Sequence, residues 1–445
     1  MPIPQDFKQR AFPLLPKILK DFRPKNLYGK NSAGLDAALS PGFHLYDEKG
    51  IRERLKLMKK LFFTEHPGME FFAVKANPNN ALLKIIKDEG FGLDCSSPTE
   101  IVRATMLGFP PEKIMCTGNN TNPEFYEAIM DIGCILNLDD ISYIDKLPYM
   151  PERICFRYNP GSRRSEGSNE FVGNPASQKY GVRHDNIIEA YRKAKDKGAK
   201  IFGIHTMYAT NCLDEEALGE NSKMQLEIAE EIQNALNIKF EFINIGGGIG
   251  IEYRHDQKPL DAVRVAEITN NAFFRFKEKH GYAPLLYLEY GRWITGPFGI
   301  LAGRAVNRMN KYKNFMGVDF CDWADIARMV IYPAYHEVSV LTPEGKEKFT
   351  ADGSEVASLV GPLCENRSMV SDRVLPKIEE GDIIVVHDTG AHGLAMKMNY
   401  NGWTASQELL LHSDNSVTRI SRAETIGDLL KTELDMEGHE LMVKY

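Results

Sequence analysis

A lysine closes the apolar run Phe71-Phe-Ala-Val-Lys75-Ala-Asn77. At the mouth of a buried strand an ammonium is poorly solvated, which favours the neutral amine that attacks carbonyl carbon. That is how a chain makes a Schiff-base lysine. Taken alone, Lys75 reads more simply as a surface lysine just past a strand. Other unusual polar residues fall at matching positions after other apolar runs: Asp94 with Ser96, Thr117 with Asn119, Asn137, Arg157 with Asn159, His205 with Thr210, and Glu289 with Arg292. A lysine, an arginine and two carboxylates gathered around one mouth serve chemistry, since packing alone needs none of them.

Two further features say what that chemistry is. Gly246-Gly-Gly248-Ile-Gly250 lets successive backbone N–H groups turn toward an anion, as a phosphate cradle requires. It lacks the Lys-Ser/Thr of a Walker motif and does not match GxGxxG, and by itself it is only a glycine-rich turn. Beside a Schiff-base lysine it points to a phosphorylated aldehyde, pyridoxal phosphate. Glu289 fits the same cofactor. A carboxylate bonded to the pyridine nitrogen keeps the ring protonated and therefore an electron sink. The competing reading of Glu289 is an ion pair with Arg292 or Arg157.

The elements that must carry these residues are visible as eight short apolar segments: Phe71–Ala76, Phe91–Cys95, Ile114–Thr117, Cys134–Leu138, Ile154–Tyr158, Ile201–Met207, Phe242–Gly246 and Leu285–Tyr290. Segments with helical periodicity alternate with them. Buried strands joined by helices are parallel strands joined by crossovers, and eight of them predict an α/β fold, a (β/α)8 barrel over 44–295 with its reactive groups at the strands' carboxyl ends. A doubly wound open sheet is the runner-up. From 296 to 445 the pattern changes to strands with no comparable helices until the last residues, predicting an all-β domain of Greek-key or sandwich type. Residues 1–43, with several prolines and one weak strand, are expected to pack on that domain.

Composition sets outer bounds. The 445 residues are 43% hydrophobic and 26% charged with a formal net charge of −7. This excludes a nucleic acid or an anionic membrane surface as the main partner. No membrane-length apolar stretch or signal-peptide core is present, and seven scattered cysteines without CxxC pairs suit reduced thiols. The expectation is a cytoplasmic protein with no metal site.

The ordered motifs Ala73-Val-Lys-Ala-Asn-Pro78, Gly92-Leu-Asp-Cys-Ser-Ser97, Gly246-Gly-Gly248, Glu289-Tyr-Gly-Arg292, Gly361-Pro-Leu-Cys-Glu365 and Asp388-Thr-Gly-Ala391 resemble the fold type III pyridoxal-phosphate decarboxylases, diaminopimelate decarboxylase most of all. The resemblance spans nearly the whole chain. It implies a head-to-tail homodimer with shared active sites. The implied cofactor-binding residues are Lys75, Asp94, Arg157, His205, Met207, Thr210, Gly246, Gly247, Gly248, Glu289, Gly291, Arg292 and His392. Lys75 and Cys364 are the implied catalytic residues, with Cys364 reaching the partner's site to protonate the carbon that has lost CO2. Arg292, Arg328, Tyr332, Glu365 and His392 are implied to meet substrate, the first three at its distal carboxylate. Read from the residues, two guanidiniums and a phenol fit a planar carboxylate, and an intersubunit salt-bridge network is the plainer reading. Likewise Cys364 by itself could be a buried small hydrophobe.

The chain departs from the family pattern where Gly390-Ala-His392 replaces Gly-Ala-Tyr, where Met207 replaces the ring-stacking histidine, and where Cys364-Glu-Asn-Arg-Ser368 replaces Cys-Glu-Ser-Gly-Asp. The loop Ser162–Asn169 is a further candidate for change at the substrate entrance. The leading expectation is a decarboxylase acting at a D-configured centre, taking meso-diaminopimelate to L-lysine and CO2. D-ornithine or D-lysine decarboxylation is the alternative, and a non-catalytic relative the remote one.

Overall fold

The structure, a computed structural model, describes residues 3–29, 34–161, 175–332, 334–434 and 438; the expected entrance loop 162–169 lies outside them. The chain divides into two compact units, one of residues 1–51, 253–257 and 295–445, the other of 52–252 and 258–294. The first unit opens with helices Gln5–Ala11 and Leu15–Asp21 and strand β1 (Phe43–Asp47). The weak strand expected in the first forty residues is therefore replaced by two helices. Their apolar faces (Phe7, Ala11, Leu15, Ile18) share one core with Phe43, Ile300, Val385 and Leu409. Burial against that sheet stabilises helices too short to persist alone.

The second unit holds β2 (Gly68–Ala73), β3 (Gly92–Cys95), β4 (Ile114–Gly118), β5 (Ile135–Leu138), β6 (Arg153–Asn159), the two-residue β7 (Val182–Arg183), β8 (Ile201–His205), β9 (Phe240–Asn244) and β10 (Leu285–Leu288). All pair in parallel, β5 with β6 and β10 with β2, so eight strands close into a barrel with β7 beside β6. Each of the eight predicted segments becomes a barrel strand. Phe71, Met115, Ile135, Cys155, Phe242 and Tyr287 fill the interior, and Phe242 stacks on Tyr287 with ring centroids 4.4 Å apart.

The turns after the strands are built by short polar caps. Asn79, Ser97 and Asn122 each accept a backbone N–H at the start of the next helix, as N-cap residues do. The polar residues at the strand ends are thereby held on short, rigid connections.

The sheet of the first unit has ten strands: β1 with β11 (Gly299–Asn310), β12 (Asn314–Val318), β13 (Val338–Leu341), β14 (Glu347–Lys348), β15 (Ser354–Val360), β16 (Val370–Pro376), β17 (Ile383–Val386), β18 (Gln407–Leu411) and β19 (Val417–Ser421). Most pairings are antiparallel; β1–β18 and β12–β15 are parallel. One expectation fails here. Asp322–Ile331 is a ten-residue helix, with a break at Ile326 (φ −146°), in a stretch read as lacking helices. Its apolar periodicity is short and kinked, and only packing on the sheet holds it. Among the described residues no helix is long and apolar enough to cross a membrane.

Candidate active site

In the barrel unit the polar residues collect where the strands end. β2 stops at Ala73, and Lys75 sits in a short turn, Val74–Ala76, one step beyond the strand that was expected to hold it. Its Nζ lies 3.3 Å from Asp94 Oδ2, at the end of β3. Asp94 is 3% exposed, while half of the Lys75 side chain stays open to solvent.

The electrostatics reverse one expectation. Desolvation does lower the affinity of Lys75 for its proton, but Asp94 and Glu289 raise it by more. The amine is held as an ammonium, where the sequence suggested a neutral base. The sequence places both carboxylates at the same mouth, but only the structure shows that Asp94 comes within 3.3 Å of Nζ and that the two together outweigh desolvation. Asp94 carries the complementary strain: burial and the nearby Glu289 raise its carboxyl, against Lys75. Among the described residues its Oδ1 has no protein partner.

Glu289, 5% exposed, follows β10 and is the most fully held group. Asn244 Nδ2 donates to its Oε1 at 2.7 Å, and His205 Nε2 stands 3.4 Å from Oε2. Burial pushes this carboxyl up, yet His205, Lys75 and Asn244 outweigh that cost and leave it ionised. Asn137 Nδ2 in turn lies 2.9 Å from His205 Nδ1 and donates to Thr117 Oγ1 at 2.9 Å. A chain of polar groups, Thr117–Asn137–His205–Glu289–Asn244, thus crosses the barrel from β4 to β9. Behind it, the fully buried Glu70 accepts the Tyr290 N–H at 2.8 Å and pins the turn that carries Glu289. Arg157 lies 3.8 Å from Asp139 and 4.2 Å from the centre of the Tyr180 ring.

The glycines after β9 have a definite geometric reason. Gly246 has φ +70° and a Cβ there would lie 2.1 Å from Thr206 O; a Cβ on Gly247 would lie 2.6 Å from Glu289 O. No other residue allows the backbone to come this close. The loop is zipped to the one after β8 by Cys212 N–H to Gly248 O and Gly250 N–H to Cys212 O, each 2.9 Å. Thr210 lies on that partner loop. Met207 Cε reaches within 3.6 Å of where a Gly247 Cβ would be. Gly291 and Arg292 begin the helix Gly291–Thr295.

These residues fit pyridoxal phosphate. Among the described residues, buried side-chain oxygens of Asp94 and Asn137 lack protein partners, an amine stands open beside them, and an ionised carboxylate suits a protonated pyridine nitrogen.

The remaining expected residues belong to the sheet unit. Cys364 is exposed and accepts from Asn401 Nδ2 at 3.0 Å. It lines a cavity of about 620 Å³ with Glu365, Asp322 and Trp403, so the buried-hydrophobe reading does not hold. Arg328, only 6% exposed, donates to His336 Nε2 at 2.7 Å and stacks 4.3 Å over Tyr253. Tyr332 is exposed at the end of the same helix. His392 adopts φ +55° in the turn after β17. Sequence reasoning missed Asn244, Glu70 and His336. An asparagine two residues before the glycine run was a readable signal for the first; nothing local marks the other two.

Comparison with known proteins bears on this arrangement. Residues 48–296 match the pyridoxal-dependent decarboxylase family's pyridoxal-binding domain, and 297–390 match its C-terminal sheet domain. Protein TabA of Pseudomonas amygdali pv. tabaci is 34% identical over 96% of this chain and 95% of its own. Diaminopimelate decarboxylase of Methanothermobacter thermautotrophicus is 33% identical over 87% of this chain and 90% of its own. Among solved structures, diaminopimelate decarboxylase of Helicobacter pylori complexed with L-lysine superposes with a TM-score of 0.76 at 27% identity, covering 88% of this chain and 96% of that one.

Proposed function

We propose, since this chain belongs to the pyridoxal-dependent decarboxylase family, that it decarboxylates meso-diaminopimelate at the D-configured centre to give L-lysine. That it is an enzyme, a pyridoxal-phosphate-dependent carboxy-lyase of diaminopimelate-decarboxylase-like kind, follows from the family and its relatives. The observation that carries the proposal is the ionised Glu289 set against the half-open Lys75 amine.

In this reading Lys75 holds the cofactor, the Gly246–Gly248 loop with Thr210 holds its phosphate, and Glu289 holds its pyridine nitrogen. Arg157, Gly291 and Arg292 complete the binding set of the barrel unit, and His392 is assigned a cofactor or substrate contact by its place in the family pattern. Bound pyridoxal phosphate supplies the electron sink for the bond that loses CO2. Asp94, 3.3 Å from Nζ, would favour the protonated form of the Lys75 amine, so that this amine could depart with the proton that an incoming substrate amine gives up. His205 and Asn244 keep Glu289 ionised. Met207 offers a polarisable thioether where the family has a histidine. Arg328 and Tyr332 meet the carboxylate that is not lost, Glu365 meets a substrate amine, and Cys364 delivers a proton to the decarboxylated carbon. We further propose a cytoplasmic homodimer in which Cys364 and Glu365 of one subunit serve the partner's substrate, with functional domains 44–295 and 296–445 preceded by the accessory segment 1–43.

A second reading, a D-lysine or D-ornithine decarboxylase, is favoured by Met207 and His392, because both replace family residues near cofactor or substrate. Arg328 weighs against it: a buried guanidinium suits a second carboxylate. The test is CO2 release from cofactor-loaded protein given meso-diaminopimelate, D-lysine, D-ornithine and the L-isomers side by side. Preference for meso-diaminopimelate is expected; preference for a D-diamino monoacid would overturn the proposal.

A further inference from the structure

His336 is completely buried, and its two ring nitrogens have different partners. Nδ1 lies 2.7 Å from His387 O. A carbonyl only accepts, so the ring proton is on Nδ1. Nε2 then presents a lone pair, and Arg328 Nη1 donates to it at 2.7 Å. A second ring proton on Nε2 would face a guanidinium N–H, so both bonds hold only for the neutral ring. Tyr253 closes the third side: its ring meets the His336 ring edge-on at 4.9 Å and lies 4.3 Å under the Arg328 guanidinium. His336 is thus anchored to backbone on one side and on the other grips the guanidinium of an arginine eight residues earlier in the chain.

An arginine reads a carboxylate well only when its planar fork is held still. A free side chain would lose rotamer freedom on binding, and the hydrogen bond to a charged group fixes that cost in advance. We propose that His336 is a positioning residue for substrate specificity: it sets the pose of Arg328, and through it the recognition of the carboxylate that the reaction leaves in place. This rests on the reading that Arg328 meets that carboxylate.

The ligands that test it differ by that one group. L-lysine carries the retained carboxylate, whereas cadaverine, the product of D-lysine, carries none. Both are titrated calorimetrically into full-length, cofactor-loaded wild type and His336→Phe. Removing the bond to a charged group is expected to weaken L-lysine at least about tenfold. Cadaverine should shift by less than about twofold, and KM for meso-diaminopimelate should rise by more than kcat falls. His336→Gln can still place an amide oxygen toward Arg328 and an amide N–H toward His387 O, so it should recover part of the L-lysine affinity; it carries the test if the phenylalanine variant fails to fold. Equal weakening of both ligands, or none for L-lysine, overturns the proposal. A wild type that binds cadaverine as tightly as L-lysine would instead overturn the carboxylate role of Arg328, and this inference with it.

Discussion

Replacing Asp94 by Asn should make the Lys75 amine easier to deprotonate, although the pocket's burial is unchanged. Asp94 Oδ2 lies 3.3 Å from Nζ. At that separation two unit charges attract by about 5 kcal/mol if the effective dielectric constant is about 20. Two facts of the structure cut this down. Half of the Lys75 side chain is open to water, which screens the pair, and Glu289 remains to attract the ammonium. Asp94 is also held toward its neutral form by burial and Glu289. What survives is a modest attraction, near the low end of what an opposite charge at this distance exerts. One pK unit is a tenfold change in the neutral amine at any pH below the midpoint. The assay is competitive acylation of the cofactor-free protein, with the Lys75 peptide followed by mass spectrometry across pH. Asp94→Asn should move the midpoint down and speed labelling near neutrality several-fold, up to about tenfold, with the melting temperature as a control on folding. A midpoint that stays put or rises would refute the claim that Asp94 maintains the ammonium.

Other consequences follow from the same geometry. Gly246→Ala places a methyl 2.1 Å from Thr206 O at φ +70°; the loop must move, and cofactor affinity by titration should fall at least about tenfold, since such strain costs 1–3 kcal/mol. Unaltered affinity would remove the Gly246 loop from the phosphate site. Cys364→Ala should leave CO2 loss running while slowing or misdirecting protonation, read as altered deuterium incorporation in the product made in D2O; full activity with unaltered stereochemistry would end the proton-donor assignment. Fully buried His44 has its pKa lowered from 6.5 to about 4 by burial. A folded-state pKa below the unfolded one means the unfolded chain takes up protons first. Its contribution is complete above about pH 6.5 and is lost as pH falls toward about 4, for a total near 3 kcal/mol. His44→Leu should flatten urea-unfolding stability over that window; an unchanged acid slope would show that His44 does not titrate with unfolding.

The amino-acid sequence by itself determined the barrel and which polar residues stand at its mouth. Apolar runs of strand length, each followed by a polar residue and a helical period, are local patterns, and the parallel topology they dictate brings Lys75, Asp94, His205 and Glu289 to one end. The glycine run was legible for the same reason, since spacing along the chain carries it, whereas the Cys364-Glu365 pair stood out only through resemblance to the family. Tertiary structure alone decided how those residues are charged and held. The protonation of Lys75 depends on a carboxylate 19 positions away and another more than two hundred away. The grip on Glu289 comes from Asn244, His205 and Glu70, on three other strands. The N-terminal helices and the kinked helix Asp322–Ile331 were missed because sheet packing, and not their own periodicity, makes them stable. Periodicity is a property of neighbours in sequence, whereas electrostatic energy depends on distance in space, and only the folded chain sets that distance.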